Sequence, residues 1–275
     1  DEIFHQLRDG KADFSQKMVD DYVALLKSYV VPMQKQVRYW EVLNEPNLWK
    51  YKTGPKKGQP AMTPERYVQF LKASHEAIKA VDPGLKVVGV CLNGCDYEYL
   101  ENVMKLGAAQ YMDVFSIHAY RGAPDIPDTY SDLMKIREIL SRNGFNGPVV
   151  NDEQYYAADL DFVAGHDSET GRDYYVSGSE ELLACARTVE GLIHASAAGV
   201  ASCPFAPQIT CAMIGGNDPY FLYYLYGAYN AAALFLGEAG EGVPVKIGDS
   251  LKAFLFANAP DGPLVAFYAP DPKVS

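Results

Sequence analysis

The feature that most constrains the fold is an alternation. From Lys17 onward, segments with helical apolar spacing take turns with short apolar runs. This rhythm signals strand-helix units around a parallel sheet, since each amphipathic helix must lay its apolar stripe on a buried strand. Residues 17 to 31 predict a helix with Val19, Val23, Leu26 and Val30 on one face, and residues 37 to 43 a strand. Thr63-Pro64-Glu65, a capping residue followed by proline at the first helical position, predicts a helix reaching about Val81, which Asp82-Pro83-Gly84 terminates.

The same reading places a strand at 86–92, a helix at 96–107, a strand at 112–118, a helix at 130–143 and a short buried strand at 148–153. A long polar loop over 155–178, bracketed by Tyr155, Tyr156, Tyr174 and Tyr175, leads to a helix at 179–197, a strand at 199–205 and a helix at 220–236. The period then changes to alternating strands at 251–257 and 264–269, joined by the turn residues 258–262, which predicts the start of a small β domain.

Five strand-helix units cannot close the usual eight-stranded barrel. Either three units precede residue 1 or the sheet is open. Both ends read as lying inside a longer arrangement: the chain opens on Asp1-Glu2-Ile3-Phe4 and stops just after an expected strand.

Composition narrows the function. A hydrophobic content of 48% with 12% aromatics supplies a folded core. The net charge of −11 argues against a nucleic-acid or anionic-membrane partner, because an acidic surface repels phosphate, and suits a neutral substrate. No apolar run approaches the roughly 20 residues of a membrane span. Residues 1 to 15 lack the basic start and apolar stretch of a signal peptide, so composition leaves the compartment unassigned. Of the five cysteines, only Cys91 and Cys95 are close, and no second Cys/His pair has a matching spacing; ordinary thiols and no metal site are expected.

Two glutamates fall at strand ends. Glu45 follows the strand at 37–43, and Glu153 ends the strand at 148–153, three strand-helix units later. Cleavage of a glycosidic bond with retention needs such a pair: one carboxylic acid to protonate the leaving oxygen and one carboxylate to attack the anomeric carbon, about 5 to 5.5 Å apart. Strands three positions apart in a barrel bring their C-terminal ends across its mouth.

The motifs around these residues resemble those of clan A glycoside hydrolases. Tyr39-Trp-Glu-Val-Leu-Asn44-Glu45-Pro46-Asn47 is similar to the clan's fourth-strand signature, and the likeness implies Glu45 as acid/base with Asn44 bonding the sugar 2-hydroxyl. Asp113-Val-Phe-Ser-Ile-His118-Ala-Tyr120 resembles the sixth strand, whose His and Tyr line the cleft and orient the nucleophile. Gly147-Pro-Val-Val-Asn-Asp152-Glu153 falls where the seventh-strand nucleophile would lie. The likeness covers about residues 17 to 238, and family 39, which holds β-xylosidases and iduronidases, resembles it most through the helix and β domain that follow.

The resemblance implies an α/β fold. Residues 1–238 would form a (β/α)8 barrel lacking its first three strand-helix units, and residues 239–275 would begin a β-sandwich domain. It implies a glycosidase acting by double displacement on an oligosaccharide, polysaccharide or glycoside, with no cofactor. Trp49 and Phe205 are candidate sugar platforms, since pyranose C–H faces pack on aromatic rings, and each reads equally well as a core residue. The basic loop 50–57 is a solvated loop or a greeting for an acidic sugar.

Other readings stand beside these. Asn-Glu-Pro alone also makes a turn or a helix start, and the weight comes from the ordered strand ends downstream. Asp152 competes with Glu153 as nucleophile, and an aspartate beside the nucleophile would raise its pKa unless strand alternation points it away. The eighth strand carries no tryptophan where the clan often stacks a sugar. A barrel that binds carbohydrate without turnover is the alternative. An α/β hydrolase or an aldolase would want a Gly-x-Ser-x-Gly elbow or a strand-end lysine, and neither is found.

Overall fold

The computed structural model describes residues 14–51, 56–120, 128–153, 163–167, 172–175, 179–202 and 224–270, and the fold they form is mixed α/β. Two compact units divide the chain. One comprises Asp1–His118 and Ile136–Val150, the other Ala119–Lys135 and Asn151–Ser275.

In the first unit, β1 (Tyr39–Glu41), β2 (Lys86–Asn93), β3 (Val114–His118) and β4 (Val149–Asn151) pair in that order and all in parallel. α1 (Gln16–Met33) precedes β1, and α2 (Pro64–Val81), α3 (Tyr97–Lys105) and α4 (Thr129–Arg142), of which only the part from Ile136 belongs to this unit, follow β1, β2 and β3 in turn. β3 is buried at every position and β2 at six successive ones, which explains their uninterrupted apolar sequences. Tyr67, Phe70, Leu71 and Ile78 of α2 are fully buried, as are Leu92 of β2 and Phe115 of β3.

Local chemistry sets the helix ends. Thr63 accepts the N–H of Arg66 ahead of Pro64, and Asp96 accepts the N–H of Tyr99 at the start of α3. At the opposite end of the sheet Asp113 is locked between strands. Its Oδ2 accepts from the Val87 N–H and from Lys79 Nζ, each at 2.8 Å. Burial pushes this carboxyl up, but Lys79, Val87 and Lys86 outweigh it and hold the pKa below the usual 3.8.

The second unit contains α5 (Ser179–Ala197), α6 (Tyr224–Leu236), the strand β7 (Ala201–Ser202) and two antiparallel sheets. Strands β5 (Val163–Asp167) and β6 (Arg172–Tyr175) form a hairpin inside the stretch expected as one loop; Gly165 and the polar β6 weaken its strand signal. Strands β8 (Val243–Pro244), β9 (Lys252–Phe256) and β10 (Leu264–Tyr268) make the other sheet, ordered β10-β9-β8. Leu192, Ile193 and Ala197 of α5, Ala232 and Leu236 of α6, and Phe254 and Phe256 of β9 share one core. One apolar cluster thus spans both helices and the antiparallel sheet. Within it His194, fully buried, faces Asp128 Oδ1 and the Tyr130 N–H with Nδ1 and the Tyr268 hydroxyl with Nε2.

Candidate active site

The expected strand at 37–43 stops at Glu41, because the backbone turns sharply after it. Leu43 and Glu45 both take left-handed conformations, with φ of 62° and 48°. On the adjacent strand Val90 and Cys91 do the same, with φ of 70° and 46°. Such a conformation costs on the order of 1 to 3 kcal/mol for a non-glycine residue and is most unusual for a β-branched one. Four of them side by side require compensation, and the two distorted segments compensate each other. The Glu45 N–H donates to the Cys91 carbonyl at 3.1 Å.

Tyr67 of α2 completes the repair from below. Its buried hydroxyl accepts the Val90 N–H at 2.5 Å and donates to the Val42 carbonyl at 3.5 Å, so one oxygen serves both strand ends. Burial pushes its pKa well above 10, and the phenol stays protonated as this donation needs.

The turn ends in a 3-10 segment at Pro46–Leu48 and delivers the Glu45 carboxyl to the C-terminal ends of β2 and β3. Two side chains meet it there on one oxygen. Asn93 Nδ2 donates to Oε1 at 2.7 Å, and His118 Nδ1 lies 3.0 Å from the same atom. The His118 hydrogen bond holds Glu45 below the usual carboxylate range; burial opposes this, and Asn93 adds to it. Within this unit the surroundings favour the charged form. With Nδ1 protonated, His118 donates to a carboxylate; with Nδ1 bare, it accepts the proton of the neutral acid.

In the second unit the Tyr120 hydroxyl donates to Glu153 Oε1 at 2.5 Å. The Ala119 N–H donates to the Oδ1 of buried Asn151 at 3.3 Å, tying together the two segments that carry them. Asp152 and Glu153 are both half-buried.

No family model matches the sequence, and no curated protein matches it. Solved structures do. A family 39 glycoside hydrolase from the gut symbiont Bacteroides cellulosilyticus WH2 aligns with a TM-score of 0.60 at 15% identity, over 94% of this chain and 53% of that one. A monomeric β-xylosidase from Caulobacter crescentus CB15 gives 0.56 at 20% identity, over 94% and 54%. The family 39 enzyme of Xanthomonas axonopodis pv. citri gives 0.53 at 18%, over 86% and 51%. This chain shares their fold. It spans about half the length of these solved enzymes.

On this family 39 fold the residues singled out in the sequence divide. Glu45 and His118 are brought together, as are Tyr120 and Glu153. The Asn44 side chain is exposed while its carbonyl accepts the indole N–H of Trp49 at 2.9 Å. Of its two readings, platform or core, Trp49 takes the core one: it is 6% exposed and its indole N–H braces the Asn-Glu-Pro turn. Phe205, Tyr155, Tyr156 and residues 52–55 of the basic loop lie outside the described residues, and Tyr174 and Tyr175 belong to β6. Cys91, buried, and Cys95, half-buried, form no disulfide with each other. Among the described residues no helix is long and apolar enough to cross a membrane.

Asn93 and Asn47 were missed as functional candidates. The signal was available, since each parallel strand of this fold class can contribute the residue at its C-terminal end. Asn93 occupies that position on β2, as His118 does on β3.

Proposed function

We propose that this chain carries the catalytic carboxyls of a retaining glycoside hydrolase, with Glu45 as acid/base and Glu153 as nucleophile. The observation that carries the reading is the Glu45 carboxyl, set at a strand end by a strained turn and held by His118 and Asn93. The shared fold of family 39 enzymes and the Tyr120 bond to Glu153 support it. The parallel strands are read as the later strand-helix units of an eight-stranded barrel, residues 1–238, with residues 239–275 opening a β domain.

In the first step Glu153 attacks the anomeric carbon, the glycosidic bond breaks, and Glu45 passes its proton to the departing oxygen. The negative charge of the nucleophile keeps Glu45 protonated against the pull of His118 and Asn93. Esterification of Glu153 removes that charge. Glu45 is then left as the carboxylate that takes a proton from water, and the hydroxide displaces Glu153 and frees the sugar. Asn44 bonds the sugar 2-hydroxyl, and Tyr120 fixes the nucleophile.

The β-xylosidase among the neighbours makes an aryl β-xyloside the first substrate to try. Trapping on the full-length protein with a 2-deoxy-2-fluoro glycoside, followed by peptide mass mapping, tests the assignment, whereas residues 1–275 alone are expected to be inactive. A label on Glu153 is expected. A label on Asp152 moves the nucleophile by one residue, and no turnover with no label on any aryl glycoside leaves a carbohydrate-binding barrel as the better reading.

A further inference from the structure

One of the two side chains holding Glu45 reaches it only because of a bulge. β2 pairs Gly89 with Phe115 and next Leu92 with Ile117, so three steps along β2 match two along β3. In an even ladder Leu92 would stand beside His118. The extra residue puts Asn93 there instead, and residues paired across parallel strands project to the same face. Both then meet Glu45 Oε1.

The strain at Val90 and Cys91 accompanies this shift of register. The shifted backbone is also clamped independently of the Asn93 side chain. Asn47 Nδ2 donates to the Asn93 carbonyl, and the Asn93 N–H donates to Asn47 Oδ1, each at 3.0 Å. Asn47 Nδ2 further reaches Asp96 Oδ2 at 3.4 Å, while Asp96 Oδ1 caps α3. A chain of polar contacts thus runs from the start of α3 to the candidate acid.

We propose that Asn93 is a positioning residue for Glu45: with His118 it fixes the plane of the carboxyl, binding one oxygen to the protein and leaving the other to exchange the proton with the glycosidic oxygen. The proposal rests on the reading of Glu45 as acid/base. An acid that must deliver a proton along one direction gains from a locked plane, and a misplacement of about 1 Å can cost on the order of a hundredfold in rate.

Two variants test it, Asn93→Ala and Asn93→Asp. The second is close in shape to asparagine and keeps both Asn47 bonds, which use only the Asn93 backbone. Two readouts are taken on the purified full-length protein: the pH profile of kcat/KM on an aryl β-xyloside, and the titration of the Glu45 carboxyl by carbon-13 NMR. The Ala variant is expected to lose roughly 10- to 100-fold in kcat/KM with KM little changed. Its basic limb and its Glu45 titration both move to higher pH. The Asp variant moves them further, because a negative charge replaces a donor.

An unaltered Glu45 titration in a folded variant overturns the proposal, as does wild-type kcat/KM in an otherwise active enzyme. If the Ala variant does not fold, the Asp variant carries the test. A wild-type protein without turnover counts against the glycosidase reading, and the carboxyl titration then still decides whether Asn93 holds Glu45.

Discussion

The hydroxyl of Tyr67 accepts the backbone N–H of Val90 at 2.5 Å, in place of the ladder partner that the bulge in β2 removes. A side chain from a helix thereby carries a strand distortion on which the position of Glu45 depends. Tyr67→Phe keeps the ring and deletes only that oxygen, leaving a buried N–H without its acceptor. Urea denaturation should show a loss of about 1 to 3 kcal/mol. Stability equal to wild type would mean that the bulge does not lean on this bond.

Glu45→Gln keeps the shape of the side chain and removes its titratable proton. Activity on substrates with poor leaving groups should fall roughly 10²- to 10⁴-fold. Substrates with good leaving groups should be spared in the first step, and azide should restore their turnover by replacing water as nucleophile. Activity unchanged in this variant would end the acid/base assignment.

Tyr120→Phe removes the donor to Glu153 Oε1. A hydrogen bond to a charged group is worth about 1.5 to 3 kcal/mol, so the rate of covalent labelling by the fluoro glycoside should drop roughly 10- to 100-fold. Labelling at the wild-type rate would show that Tyr120 only packs beside Glu153.

Asp113 makes stability depend on pH. Its pKa is held below the ordinary 3.8 by Lys79, Val87 and Lys86. A carboxyl whose folded-state pKa is depressed stabilises the fold fully above its unfolded-state value and loses that contribution as pH falls through the folded-state value. Asp113→Asn should therefore be less stable than wild type near neutrality, and the gap should shrink in acid. Urea midpoints compared from about pH 7 to about pH 2 give the answer; a gap independent of pH would exclude the ionised pair as its source.

Much of the frame was legible because apolar spacing reports burial directly. The helices at Pro64–Val81 and Ser179–Ala197 start and end where capping residues and apolar periodicity place them. The hairpin of β5 and β6 was not legible, since a short strand containing Gly165 lacks the alternation that identifies one. Trp49 shows a different limit. An aromatic residue next to a candidate acid reads equally well as platform or as core, and only its neighbours decide.

By itself the sequence determined the order of the parallel strands and their helices, the place of His118 at a strand end and of Glu45 and Glu153 shortly past one, and the net negative charge, because these follow from residue type and spacing along the chain. Tertiary structure alone decided that Asn93 stands beside His118, that Tyr67 serves two strand ends, and that Trp49 faces inward. The physical reason is the bulge. An extra residue in β2 costs nothing that composition or periodicity registers, yet it exchanges Leu92 for Asn93 at the position beside His118, from which Asn93 reaches the Glu45 carboxyl.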